Sequence, residues 1–215
     1  MNALILANGD PPSAELLARL AGTHGLFIAC DGAAQKAAGI GVQPDIVSGD
    51  FDSLDVEAAQ AALPEAEFVA TPDQNLTDLQ KAVGIAREQG AKGLTIAGAA
   101  GGRIDHTLGN ASLLLRWQED WPDLPVAIVA DGSETRALRG ERTLDTAPGD
   151  AVSVLSMDGR ARVSLSGVRW PLMDFPLPVG VGGLLNEATG ESVTVKAEGG
   201  TILVCHLQAY LRRQQ

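Results

Sequence analysis

The chain has 215 residues, 45% of them hydrophobic, and a formal net charge of −11. This is a globular composition with room for one large core or two modest ones, and it excludes a disordered chain. The acidic balance excludes a face built for nucleic acid or anionic lipid, yet it leaves room for a nucleotide held through a metal or a locally positive site. No apolar run reaches the roughly 20 residues of a membrane span. The opening stretch Met1 to Asp10 reads as a buried strand and not a signal peptide, because no basic segment precedes its apolar run. Cys30 and Cys205 lie far apart inside apolar runs and read as buried thiols, so a cytoplasmic setting is expected.

Over the first 130 residues, short apolar runs alternate with helix-length amphipathic stretches. The patterning predicts strands at 4–7, 26–30, 45–48, 67–70, 94–97 and 126–130. Between them it predicts helices at 13–20, 33–38, 56–63, 77–89 and 104–118. Continuous apolar strands alternating with helices predict a mostly parallel sheet with helices on both faces. After Asp131-Gly132-Ser133 the pattern changes to short alternating segments at 151–156, 161–166, 192–197 and 201–206, separated by turn signals. That predicts a C-terminal all-β sandwich, with an α/β domain over 1–132 and a β domain over 133–215. The Pro- and Gly-rich stretch 171–183 reads as a long loop, and Asn186-Glu187 as part of a turn.

Several strand-to-turn junctions carry reactive side chains. Gly49-Asp50-Phe51-Asp52-Ser53 follows a predicted strand at the edge where open α/β sheets bind ligands. If the stretch is extended, Asp50 and Asp52 point the same way and can share a magnesium ion. Thr77-Asp78-Leu79-Gln80-Lys81 opens a helix, placing a carboxylate and an ammonium on one face; plain helix capping by Asn75 or Thr77 is the simpler account of that segment alone. Gly101-Gly102-Arg103-Ile104-Asp105-His106 is a Gly-rich turn entering a helix, where backbone N–H groups and Arg103 suit a phosphate. His106 reads as a helix residue that orients Asp105. Asp31-Gly32-Ala33-Ala34 is another such junction. Together they point to nucleotide phosphate handling with clustered aspartates and a divalent metal.

In order and spacing these motifs, with Pro44-Asp45, resemble the thiamine pyrophosphokinase (thiamine diphosphokinase) family. In the second half, Gly167-Val168-Arg169-Trp170 resembles the family's Gly-Leu-Lys-(Tyr/Trp) turn, and Asn186-Glu187 its late Ser-Asn segment. The resemblance implies transfer of pyrophosphate from ATP to the thiamine hydroxyl, releasing AMP, by a homodimer with its active site between subunits. It implies Asp50, Asp52 and Asp78 at a Mg2+ site, with Lys81 and Arg103 beside the phosphates as further catalytic groups. ATP is expected at Asp31, Gly32, Gly49, Asp50, Thr77, Gly101, Gly102, Arg103, Asp105 and His106, and thiamine at Trp170 and Asn186. Two positions depart from the pattern: Asn75 stands where an acid is usual, and Leu185 where a small hydroxyl residue is usual. These departures motivate two alternatives, a pyrophosphokinase for another heterocyclic alcohol such as a pterin, and a non-catalytic thiamine or nucleotide sensor.

Overall fold

The computed structural model describes residues 1–52, 54–180 and 182–208. By internal contacts the chain forms two units, Met1–Asn110 with Ile128–Asp131, and Ala111–Ala127 with the chain from Gly132 onward.

The first unit follows from its apolar strands. These are β1 (Ala3–Leu6), β2 (Leu26–Cys30), β3 (Ile46–Gly49), β4 (Glu67–Ala70), β5 (Leu94–Ala97) and, from Ile128 on, the end of the shared strand β6 (Val126–Ala130). Their order is β6-β5-β1-β2-β3-β4, and β1 to β5 pair in parallel. Every residue of β1 and β2 is buried, which is why both read as unbroken apolar runs. Two clusters lie side by side on one face of the sheet, since Leu4 pairs with Phe27, Leu6 with Ala29 and Ala29 with Val47. Leu4, Leu6 and Phe27 meet Leu17 and Ala37, whereas Ala29 and Val47 meet Ala34, Ala59 and Leu63. The helices are α1 (Ala14–Thr23), α2 (Ala33–Gly39), α3 (Val56–Ala62), α4 (Asp78–Glu88) and α5 (Ile104–Asp120), the last divided between the units. From β1 the sheet grows one way through β2, β3 and β4, and the other way through β5 and β6. The carboxyl ends on either side of β1 therefore flank a topological switch point, the usual place for a ligand crevice.

The second unit is antiparallel and β-rich: β7 (Ser133–Asp145), β8 (Ala151–Leu155), β9 (Arg162–Ser166), β10 (Leu172–Pro176), β11 (Asn186–Glu187) and β12 (Ser192–Leu207). The order is β10-β9-β12-β7, with β8 joining the far half of β12 and pairing β11. The two short strands predicted at 192–197 and 201–206 are one strand. Its register against β7 shifts between Ala197 and Ile202, so the Glu198-Gly199-Gly200 turn signal is an irregularity within the strand. Its first half pairs β9 and its second half β8, which wraps the core of Val152, Val154, Val163, Leu165, Val195 and Ile202. β7 escaped prediction because few of its residues are buried and many are charged, so apolar alternation is weak. β10 lies inside the stretch read as a loop. It is an edge strand with Pro176 at its end, a position that needs no ladder N–H on its open side.

Candidate active site

The junctions after β2 and β3 converge. Asp31, Asp50 and Asp52 each offer a carboxylate oxygen, and these oxygens lie within 4.8 Å of one another. Asp31 is buried, Asp50 half-buried and Asp52 exposed, so the group grades from the core out to solvent. Gly49 permits the approach, since a Cβ there would lie 2.9 Å from Asp31 Cβ. The route differs from the extended stretch that the sequence suggested. Phe51 takes a left-handed φ of 59°, so a turn brings Asp52 back, with its N–H pointing to Asp50 Oδ1 at 3.4 Å. The Phe51 ring packs against Phe68 with centroids 6.0 Å apart, and burial of that ring offsets the strain. Gln74 Nε2 donates to Asp50 Oδ2 at 3.1 Å, and this bond above all holds the Asp50 carboxyl below its ordinary pKa. A set of hard carboxylate oxygens with one open flank fits a divalent cation such as Mg2+.

Asp78 lies outside that group of three. It opens α4 and pairs with Lys81, Nζ to Oδ1 3.1 Å; the Lys81 side chain is 6% exposed and that of Asp78 39%. Thr77 caps the helix in a capping box with Gln80. Asn75 turns inward on its own loop, donating through its backbone N–H and its Nδ2 to Asp73 Oδ1 at 2.8 and 3.0 Å. That donation holds the Asp73 carboxyl low. Beneath the loops, burial above all pushes the Cys30 thiol well up, and the neighbouring Asp78 and Asp31 add to it. Cys30 is thus a buried, protonated thiol.

The Gly-rich turn after β5 lies against the end of β1. The Asp10 N–H donates to the Ala100 carbonyl at 3.0 Å, and Gly9 N–H to Gly98 at 2.8 Å. Gly101 takes a left-handed φ of 85° and a Cβ there would meet the Asp10 side chain, so the turn favours glycine. Lys36 Nζ binds the Asn8 and Gly9 carbonyls at 3.0 and 2.7 Å, fastening the same corner from α2. Arg103 is engaged by Asp105, Nε to Oδ1 3.1 Å and Nη2 to Oδ2 2.5 Å, and this pairing holds the Asp105 carboxyl down at about 2. The His106 backbone N–H donates to Asp105 Oδ1 at 3.0 Å, a main-chain contact that does not depend on the imidazole.

In the second unit, Trp170 stands 55% exposed with the Arg169 guanidinium 4.9 Å from its ring centroid. Asn186 is buried, and its side chain binds the Trp170 main chain. Leu185 adopts a φ of 54° and its N–H donates to Ser153 Oγ at 3.0 Å, so a hydroxyl reaches this turn from β8.

Asp31 as a third member of the carboxylate group, Gln74 and Asp10 were not read from the sequence in these positions. The resemblance assigns Asp31 to ATP alone. Gln74 and Asp10 have no local pattern of their own, although Asn8-Gly9-Asp10 has turn composition at a strand end.

Comparison with known proteins identifies the family. The model of the thiamin pyrophosphokinase catalytic domain matches residues 17–126, and that of the thiamin pyrophosphokinase substrate-binding domain matches 136–204. Thiamin pyrophosphokinase 1 of Caenorhabditis elegans is 26% identical over 182 residues, 78% of this chain and 72% of that protein. Thiamine pyrophosphokinase 1 of Arabidopsis thaliana is 29% identical over 173 residues, 73% of this chain and 62% of that protein. In fold, the chain matches the crystal structure of thiamine pyrophosphokinase from Bacillus subtilis with a TM-score of 0.85, 21% identity, and coverage of 97% and 99% of the two chains. With the catalytic-domain match spanning the acidic strand-end turns and the substrate-binding match spanning the antiparallel strands, the chain belongs to the thiamin pyrophosphokinase family of diphosphotransferases.

Proposed function

We propose that the acidic edge of the parallel sheet binds Mg2+ and ATP, and that the Trp170 turn takes thiamin. The observation that carries this reading is the convergence of the Asp31, Asp50 and Asp52 carboxylates within 4.8 Å. In the reaction, the thiamin hydroxyl oxygen bonds to the β-phosphorus of ATP. The bond from that phosphorus to the α,β-bridging oxygen breaks, AMP leaves with that oxygen, and the hydroxyl proton is released to solvent. When bound, the metal would supply charge neutralisation on the phosphates. The rest falls to side chains, chiefly by positioning and electrostatics. Asp50 and Asp52, with Asp31 behind them, would hold the ion; the Gln74 bond holds the Asp50 carboxyl below its ordinary pKa, which favours the charged form a cation needs. Lys81 meets phosphate while Asp78 fixes it. Asp78, outside the group of three, is free to orient the attacking hydroxyl on its exposed side. Arg103 and Gly101-Gly102 receive the remaining phosphates, with Asp105 and His106 aligning the guanidinium.

In this reading residues 1–132 are the nucleotide and metal domain and 133–215 the thiamin-binding and dimerisation domain of a cytoplasmic homodimer, although by internal contacts Ala111–Ala127 group with the second part. The family match supports this above the pterin-like and sensor alternatives, since the matched domain models are named for thiamin and for catalysis. Asp50→Ala should abolish AMP formation from ATP and thiamin while leaving the circular dichroism spectrum and melting curve intact. Near-normal turnover in that variant would sink the assignment.

A further inference from the structure

Trp170 is held in place by a buried amide. The chain from Val168 to Trp170 runs beside 186–188: Val168 bridges Ala188, and the Arg169 N–H donates to the Glu187 carbonyl at 2.8 Å. At the next position the Asn186 side chain takes over from backbone pairing. Its Oδ1 accepts the Trp170 N–H at 3.0 Å and its own neighbour's, Glu187, at 3.0 Å; its Nδ2 donates to the Trp170 carbonyl at 2.5 Å. Both main-chain polar groups of Trp170 are therefore satisfied by one side chain that is 8% exposed.

An amide oxygen accepts two hydrogen bonds and an amide nitrogen donates two. Asn186 has spent three of those four on the chain itself, so little of it is left for a ligand. The indole has the opposite character, broadly open to solvent. Arg169, tied to Glu187 at 3.1 Å, lies over the indole, and the residue remains 55% exposed, enough surface for a planar heterocycle. Resting on the reading that Trp170 is the thiamin platform, we propose that Asn186 is a positioning residue. It sets the pose of the indole through the main chain and does not hold thiamin itself. A stacking surface fixed beforehand spares each binding event the cost of ordering the turn.

A double-mutant cycle tests this on the full-length enzyme. Asn186→Ala should raise the KM for thiamin about tenfold, the worth of two lost hydrogen bonds, with the KM for ATP and kcat within about twofold of wild type. Trp170→Ala should raise the thiamin KM as well. The double variant should then match Trp170→Ala within about twofold, because Asn186 acts only through the indole. Before any ligand is added, Asn186→Ala should change the emission and acrylamide quenching of Trp170, read as a difference against Trp170→Ala to remove the other tryptophans. Penalties that multiply in the double variant, or a raised thiamin KM with unchanged Trp170 emission, would overturn the positioning role and leave the platform standing. A Trp170→Ala enzyme with wild-type thiamin KM would overturn the platform, and the inference with it. If Asn186→Ala does not fold, Asn186→Asp enters the same cycle. It keeps the accepting oxygen and sets a second oxygen against the Trp170 carbonyl.

Discussion

At the scale of residues, the decisive asymmetry is between Lys81 and Asp78. The ammonium is nearly enclosed whereas its carboxylate partner reaches solvent. Removing Asp78 strands a charge in the interior, but removing Lys81 leaves a carboxylate that water can solvate. A fully buried pair loses about 3–5 kcal/mol when one partner is deleted, and exposure on the Asp78 side reduces that. Asp78→Ala should therefore cost about 1–3 kcal/mol in urea unfolding, and Lys81→Met clearly less, although both lose activity. Equal costs would mean that Lys81 finds another partner when Asp78 is gone. The second residue-scale feature is the grip of Arg103 on Asp105. The Asp105 pKa is depressed to about 2 in the folded chain. Its contribution to folding is thus present above the ordinary value of about 3.9 and is lost as pH falls through the folded pKa. Arg103→Gln should move the Asp105 midpoint up towards about 3.9 in an NMR titration. Saturating ATP should move it the same way if the guanidinium transfers to phosphate. A midpoint unmoved by Arg103→Gln would show that the guanidinium is not the cause.

At the scale of elements, α4 shows how a cap serves a site. The Thr77 hydroxyl accepts the Gln80 N–H at 3.3 Å, and Gln80 Oε1 accepts the Thr77 N–H at 3.1 Å. That box fixes the first turn, and the first turn carries Asp78 and Lys81. Losing such a cap costs about 1 kcal/mol. Thr77→Ala should lower the unfolding free energy by about that amount and raise the KM for ATP several-fold, and Thr77→Ser should restore both. A raised ATP KM in Thr77→Ala with full stability would instead mean that the hydroxyl touches nucleotide directly. β12 illustrates the same economy in the second unit. One strand with an internal irregularity serves β9 with its first half and β8 with its second, so that turn-forming residues bend a strand without ending it.

At the scale of the whole molecule, the groups assigned to ATP and those assigned to thiamin fall in different units of one chain. The resemblance in motifs implies a homodimer with the site completed between subunits, and subunit mixing tests it. Inactive Asp50→Ala protein and Trp170→Ala protein, assayed at thiamin well below its raised KM so that it turns over little, are combined under conditions of proven exchange. A site shared between chains gives hybrid dimers with one doubly damaged site and one intact site, so activity returns. A site built within one chain gives no recovery.

Much of this protein was legible in the order of its residues. Unbroken apolar runs such as Leu26–Cys30 predicted buried parallel strands, since a strand covered on both faces must be apolar throughout. The Asp and Gly turns could be placed at strand ends for the same reason, because the change from apolar to polar marks where the sheet stops. Period alone could not find β7 or β10: one is charged and little buried, and the other is an edge strand beside prolines. Nor could it say that Phe51 turns left-handed, that Asp31 closes on Asp50 and Asp52, or that Gln74 reaches across to Asp50. Those are meetings of residues from different strands and loops. Local patterning records which face a residue turns to its own element, whereas only packing decides which distant side chain it meets there.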